Sequence, residues 1–243
     1  MTRIAIIAAM PAELKPLTRG WRHSRSNGVD LWRRRFDDGE WVAACAGAGV
    51  DAATRAFAEV EKLGPITTVL STGWAGALRE ELAPGEAFDV SVVIDARTGE
   101  RFVAASPPND CWLVTSSRVA DATEKKRLAS TYEAALVDME AAGIARIAKM
   151  RGIPFYCIKG ISDGYSDQLP DFNRFISPGG QFKLARFIVF ALLRPWYWPP
   201  LIRMGENSRE AARNIAQSLL DFLDELNEQG PASTRNGNPN HQR

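Results

Sequence analysis

The side chains with the means to do chemistry in this 243-residue chain are carboxylates, placed where a fold collects ligands. Asp138 and Glu140 open an apolar-periodic stretch, Ser162 and Asp163 close a short apolar run, and Glu13 follows another such run near the amino terminus. Other catalytic sets are poorly supplied. Only His23 and His241 are present, which nearly excludes a histidine-based triad, and no metal site is expected. Cys45, Cys111 and Cys157 have neither metal-ligand spacing nor an even count. Cys45 and Cys157 lie in apolar runs and read as buried free thiols of a reducing compartment. By type and place alone, the acids could equally be charges answering a helix dipole, and Ser162-Asp163 a plain turn.

The elements around these residues follow from periodicity. Met139, Gly143, Ile147 and Met150, with Ile144, recur at helical spacing behind Asp138 and Glu140. Gly152 ends that helix, and residues 155–158 form a run short enough for a buried parallel strand. Ligands of open α/β sheets bind at the carboxyl ends of such strands, which marks Glu140, Ser162 and Asp163 as candidate site residues. Residues 4–9 read as a first buried strand, broken at Met10-Pro11, with Glu13 in the first turn of the helix that follows. Arg22, Arg25 and Arg33 to Arg35 give a local basic bias around a hairpin turn at Asp37-Asp38-Gly39. Residues 41–46 read as a strand, and Gly47-Ala48-Gly49 opens a helix over 51–63. That glycine turn is either an anion cradle or a tight connection, and it lacks the three spaced glycines of a dinucleotide site. Residues 67–71 form a further strand, followed by a loop Thr72-Gly73-Trp74-Ala75-Gly76. Residues 86–96 form one long strand, Thr98-Gly99-Glu100 turns it back into 101–103, 105–110 are loop, and 112–115 are again strand.

Val137-Asp138-Met139-Glu140-Ala141-Ala142, with Ile161-Ser162-Asp163 some twenty residues on, resembles the signature of the purine nucleoside phosphorylase and nucleosidase superfamily. It looks closest to the hydrolytic branch typified by 5′-methylthioadenosine/S-adenosylhomocysteine nucleosidase. Ala9-Met10-Pro11-Ala12-Glu13 fits that family's Ala-Met-x-x-Glu, and Thr72-Gly73-Trp74-Ala75-Gly76 is similar to its Asn-Thr-Gly-Ser-Ala-Gly loop. The likeness covers roughly residues 3–167. It implies a three-layer α/β/α fold with a central mixed, mostly parallel twisted sheet, and cleavage of the N-glycosidic bond of a purine (adenine) nucleoside without a cofactor. It also implies roles: Glu13 activates water, Asp163 protonates the leaving base at N7 with Ser162 orienting it, and Glu140 holds the ribose hydroxyls. Met139 would form an apolar wall under the sugar, Thr72 and Trp74 would lie against ribose and nucleophile, and Val119 and Ala120 would clasp the purine through main-chain groups. Departures bear on substrate. Trp74 replaces a small hydroxyl residue, Lys159 a usual Arg, and Asp138 a more common Glu. Ser71 stands where the phosphorylase branch has a phosphate-binding Arg, which favours water over phosphate as nucleophile.

Composition bounds the rest. Hydrophobics at 45% and charged residues at 24% describe an ordinary globule, and a net charge of +1 argues against a nucleic-acid binder. The length suits one α/β domain over 1–228, with a Gly-, Pro-, Asn- and Ser-rich tail at 229–243 expected to be disordered. The start has no signal-peptide layout, so a cytoplasmic protein is expected, and the resemblance implies a homodimer. Residues 181–193 form an apolar helix and 194–204 continue with Trp196-Tyr197-Trp198 among arginines, too short together to span a bilayer. This segment either packs on protein or makes peripheral membrane contact through 185–204. Residues 208–226 form an amphipathic helix with Ala212, Ile215, Leu219, Leu220 and Leu223 on its stripe. Two other functions stay open. One is the hopanoid-associated phosphorylase type, which releases adenine from a lipid-linked adenosine. The other is a catalytically silent nucleoside-binding protein, for which Trp74 filling the pocket would be the evidence.

Overall fold

Short apolar runs alternating with amphipathic stretches become eleven strands and six α-helices in the computed structural model, which describes residues 2–37 and 39–228. The first half holds β1 (Thr2–Ala8), α1 (Pro11–Leu14), β2 (Arg22–Ser26), β3 (Val29–Arg35), β4 (Gly39–Cys45), α2 (Val50–Glu61) and β5 (Thr68–Ala77). Then come β6 (Ala87–Asp89), β7 (Val92–Asp95), β8 (Arg101–Val103), β9 (Trp112–Thr115), α3 (Ala122–Tyr132), β10 (Leu136–Asp138), α4 (Ala141–Arg151) and β11 (Phe155–Asp163). Two helices, α5 (Leu184–Leu192) and α6 (Trp198–Glu228), close the described chain.

One mixed sheet runs β2-β3-β4-β1-β5-β10-β9-β7-β8, with β11 pairing β5 and β6. Strand β5 is its hub. It pairs parallel to β1 over residues 68–71 and parallel to β11 over 69–76, and its end meets β10 antiparallel at Gly76 and Ala77. The twofold alternation of a strand sorts the core into layers. Ala5 and Ile7 of β1 face the cluster that holds Ala53, Ala56 and Phe57 of α2 and Ile144 and Ala145 of α4. Ile4, Ile6 and Ala8 face the opposite cluster, with Leu14, Ile215, Leu219 and Leu223. A third cluster lies under α3, where Leu128 meets Ile94, Val114 and Val137. Helices on both faces of a mixed sheet, parallel at its centre where β4, β1, β5 and β11 pair and antiparallel at its edges, make the three-layer α/β/α arrangement that the resemblance implied.

Several boundaries differ from the sequence reading, for physical reasons. Residues 72–76, read as a loop, continue β5, because β11 supplies parallel partners as far as Gly76. Strand β11 likewise runs through Ser162 and Asp163 rather than ending at Ile158. The run 86–96 is two strands, with Val90 and Ser91 between β6 and β7. Asp138 ends a strand, Glu140 is the N-cap of α4, and Met139 lies between them, so the helix begins later than its periodicity implied. Met150, placed on the buried stripe, is 66% exposed. Residues 198–228 form one helix, with Pro199 and Pro200 in its first turn where their missing N–H groups cost nothing. Gly152 does cap α4 in the left-handed conformation, and all three cysteines are buried and free. Asp38 of the expected hairpin turn and the tail 229–243 lie outside the described residues; β3 and β4 pair antiparallel on either side of that turn.

Helix α6 comes close to β11 because Gly160 has no side chain. A Cβ there would stand 2.9 Å from both Ala211 Cβ and Ile215 Cδ1 and 3.1 Å from the Ala211 carbonyl oxygen. Gly160→Val should therefore lower the unfolding free energy by about 1–3 kcal/mol, the usual cost of overpacking. Urea denaturation reads this directly, and an unchanged midpoint would mean that α6 shifts without cost.

Candidate functional site

A cleft of about 1170 Å³ opens at the carboxyl ends of the central strands. The β1–α1 junction supplies Glu13, β5 supplies Trp74, the β10–α4 junction supplies Met139 and Glu140, and the end of β11 supplies Ser162 and Asp163. Val119 and Ala120 line it from the loop between β9 and α3. Of the residues given a role in the site from the sequence, Thr72 does not line it, and neither do Ser71 and Lys159 beside it in the sheet. Thr72 is buried inside β5 and takes part through its carbonyl alone.

Glu13 is only 4% exposed, and its carboxylate is held by backbone N–H groups. Ala9 and Met10 donate to one oxygen at 2.8 and 2.7 Å, and Trp74 donates to the other at 2.8 Å. Burial raises its pKa above the ordinary value, against the lowering effect of these donors and of the Lys159 charge. Gly73 makes the grip of β5 possible. Its φ is +122°, and a Cβ at this position would stand 2.7 Å from Glu13 Oε1.

Glu140 accepts from the Gly49 N–H at 2.7 Å and the Met139 N–H at 3.2 Å. Burial, and then the neighbouring Asp138 charge, push its carboxyl up to about 7. Asp138 is fully engaged: Thr115 Oγ1 donates to it at 2.7 Å, the Ala141 N–H at 2.9 Å and the Lys159 ammonium at 2.9 Å. Lys159 is wholly buried in the middle of β11 and also donates to the Thr72 carbonyl at 3.2 Å. Burial alone would lower its pKa, but the Asp138 carboxylate beside it holds the ammonium above its ordinary value.

At the other end of the cleft, Ser162 Oγ donates to Asp163 Oδ1 at 2.5 Å. The second Asp163 oxygen accepts from Lys125, whose Nζ also donates to the Gly164 carbonyl at 2.6 Å. Lys125 was missed at the sequence level. Its signal is a lysine three residues before Leu128 on the inward stripe of α3. Asn173 was also missed: its amide nitrogen donates to the Val119 carbonyl at 3.0 Å, and its oxygen accepts from the Val119 N–H at 2.8 Å. Both main-chain groups of Val119 are thus engaged by one side-chain amide. Trp74 does not plug the cleft; its indole N–H is bonded to the Ser208 carbonyl of α6 at 2.9 Å, and the ring stands in the wall. Among the described residues no cluster of His, Cys, Asp or Glu is arranged to hold a metal ion.

The raised carboxyls couple this site to stability. Between pH 4.5 and about 7, Glu140 is protonated in the folded chain and ionised in the unfolded one, so stability falls as pH rises through that window. Glu13 acts with the same sign. Glu140→Gln should remove its share, on the order of 1–3 kcal/mol between pH 5 and 8, as read from urea midpoints at the two pH values. An unchanged pH slope in the variant would refute the raised carboxyl.

No curated protein matches the sequence. Solved structures do match the fold. The 5′-methylthioadenosine/S-adenosyl homocysteine nucleosidase of Helicobacter pylori superposes with a TM-score of 0.70 at 16% identity, over 93% of this chain and 99% of that one. The 5′-methylthioadenosine nucleosidase of Arabidopsis thaliana gives 0.71 at 18% identity, over 93% and 96%. The futalosine hydrolase of Helicobacter pylori gives 0.70 at 16%, over 93% and 98%. The sequence profile of the phosphorylase superfamily matches residues 3–110 and 111–186, which include every carboxylate of the cleft. By that match, and with the fold to accompany it, the chain belongs to the phosphorylase superfamily and is an enzyme of that group.

Proposed function

We propose that this enzyme hydrolyses the N-glycosidic bond of an adenine nucleoside, in the manner of a methylthioadenosine/S-adenosylhomocysteine nucleosidase. The observation that carries the reading is the convergence of Glu13, Glu140 and Asp163, from three distant segments, on one cleft. Breaking C1′–N9 leaves positive charge on the ribose and an electron pair on the purine, so the reaction needs a base, an acid and a hold on the sugar. Glu13, with its pKa raised and its orientation fixed by three N–H groups, takes the proton of the attacking water. Water oxygen bonds to C1′ as the bond to N9 breaks, and Asp163, which has to enter the step as the neutral acid, gives its proton to purine N7 and returns to the carboxylate. Lys125 and Ser162 hold Asp163 in place for that transfer. Glu140 accepts hydrogen bonds from the ribose hydroxyls, with Met139 beneath the sugar. The Val119 main chain meets the purine once Asn173 has withdrawn. Ser71 is buried within β5 and does not line the cleft, which supports water over phosphate. The products are free adenine and a 5′-substituted ribose.

A second reading draws support from the cleft wall. Leu184, Phe187, Leu201 and Met204 of α5 and α6 line it, and an apolar 5′-substituent suits such a wall, as in phosphorolysis of a lipid-linked adenosine. Adenine release separates the readings. Methylthioadenosine, S-adenosylhomocysteine and adenosine, each with and without phosphate, should yield adenine independently of phosphate. Release that requires phosphate, or release only from a lipid-linked adenosine, would favour the second reading. Asp163→Asn should lower kcat by about 100-fold or more while substrate binding survives, as expected for loss of a general acid. Full turnover in that variant would remove Asp163 from the mechanism.

A further inference from the structure

Helix α5 is apolar almost throughout, yet none of its residues is buried. A helix hydrophobic on all sides belongs in a core or in lipid. Its inner side is accounted for, since Phe187 and Phe190 pack against Phe172, Phe175 and Phe182. The outer side is not. Leu184, Ile188, Leu192, Leu193, Trp196 and Ile202 are 47–69% exposed. Eight of the ten large apolar side chains left exposed among the described residues fall between Leu184 and Ile202, so the excess forms one patch rather than scattered surface apolars.

Charge identifies what the patch fits. From Phe172 to Gly205 the chain has no acidic residue; Arg174 at its edge pairs with Asp171, while Lys183, Arg186, Arg194 and Arg203 are spread along the rest. A second copy of this chain meeting the patch about a twofold axis would set cation against cation. An anionic lipid surface complements both the cations and the apolar side chains between them. Trp196 and Trp198 add the amphipathic rings that settle at the headgroup level. No helix among the described residues is long and apolar enough to cross a membrane, so a helix of this kind lies in the interfacial plane.

We propose that α5, the 3-10 turn Pro195–Tyr197 and the first turns of α6 form a docking surface for an anionic lipid bilayer. Leu184 and Leu201 belong to this region and also line the cleft, so the docked face borders the cleft mouth.

The test uses the full chain with phosphatidylglycerol-rich vesicles and with pure phosphatidylcholine vesicles, without nucleoside. Co-sedimentation should show about tenfold or greater preference for the anionic vesicles, weakened by salt and accompanied by a blue shift of tryptophan emission. The double variant Leu192→Ser, Trp196→Ser removes two apolar side chains that are 63% and 66% exposed and line no part of the cleft. It should keep the parent's unfolding midpoint and lose vesicle binding by about tenfold or more. Equal, negligible binding to both vesicle types would overturn the proposal. So would a dimer in solution that the same two substitutions dissociate, since a second copy would then be the occupant. Because no base release is measured, vesicle binding is read independently of the chemistry in the cleft.

Discussion

One buried ammonium holds the centre of this molecule together. Lys159 sits at zero exposure in the middle of β11, bonded to Asp138 at the end of β10 and to the Thr72 carbonyl of β5. Its charge also favours ionisation of Glu13 and Glu140. Three buried acids therefore share one cation, and only Asp138 touches it. Burial, and then the Asp138 charge, push the Glu140 carboxyl up to about 7 in spite of that cation. A buried pair of this kind contributes little net stability, because desolvation offsets attraction, but losing one partner strands the other and costs about 3–5 kcal/mol. The arrangement accordingly fixes geometry more than it adds stability: the β5, β10 and β11 ends are locked together where the cleft opens.

The remaining acids are held by the backbone and by a second cation. Glu13 takes three N–H groups from the end of β1, the start of α1 and β5, so its position depends on three chain segments at once. Gly73 is where that dependence is tightest, since any side chain would occupy the carboxylate's own place. Asp163 is held instead by side chains, Ser162 from its own strand and Lys125 from α3. The two ends of the cleft thus differ in kind. One is a carboxylate in a cage of amides, the other a carboxylate paired with the buried Lys125 ammonium.

Much of this was legible in the sequence. Pattern alone left Glu13, Glu140 and Asp163 open to a reading as helix-start and turn charges, and it was the resemblance of the motifs around them that singled these acids out. The three layers were implied by the resemblance, and the stripe Ala212, Ile215, Leu219 and Leu223 of α6 was legible from its spacing; which β1 residues face which layer was not, since residues 4–9 are apolar throughout. Local composition failed where tertiary partners decide. Thr72 to Gly76 look like a loop, and become strand because β11 lies alongside. Lys159 read as a substitution of one cation for another, although a charge inside an all-apolar strand already implied a buried partner. Asn173 carried no signal at all, since an amide in a 3-10 turn is ordinary until Val119 is found opposite it.

The carboxyl-terminal segment shows why weak resemblance does not mean loose attachment. The family match ends at residue 186, yet α6 buries Ala211, Ile215, Leu219 and Leu223 against the sheet as completely as any matched element. Within the same helix, residues before Ser208 carry exposed apolar side chains and those after it belong to the core. The change falls where Trp74 donates its indole N–H to the Ser208 carbonyl. That bond ties a cleft-wall residue of β5 to the point where α6 passes from surface to interior. Trp74 therefore stands in the wall of the cleft, because its polar edge has a partner on a helix whose inner half is buried against the sheet.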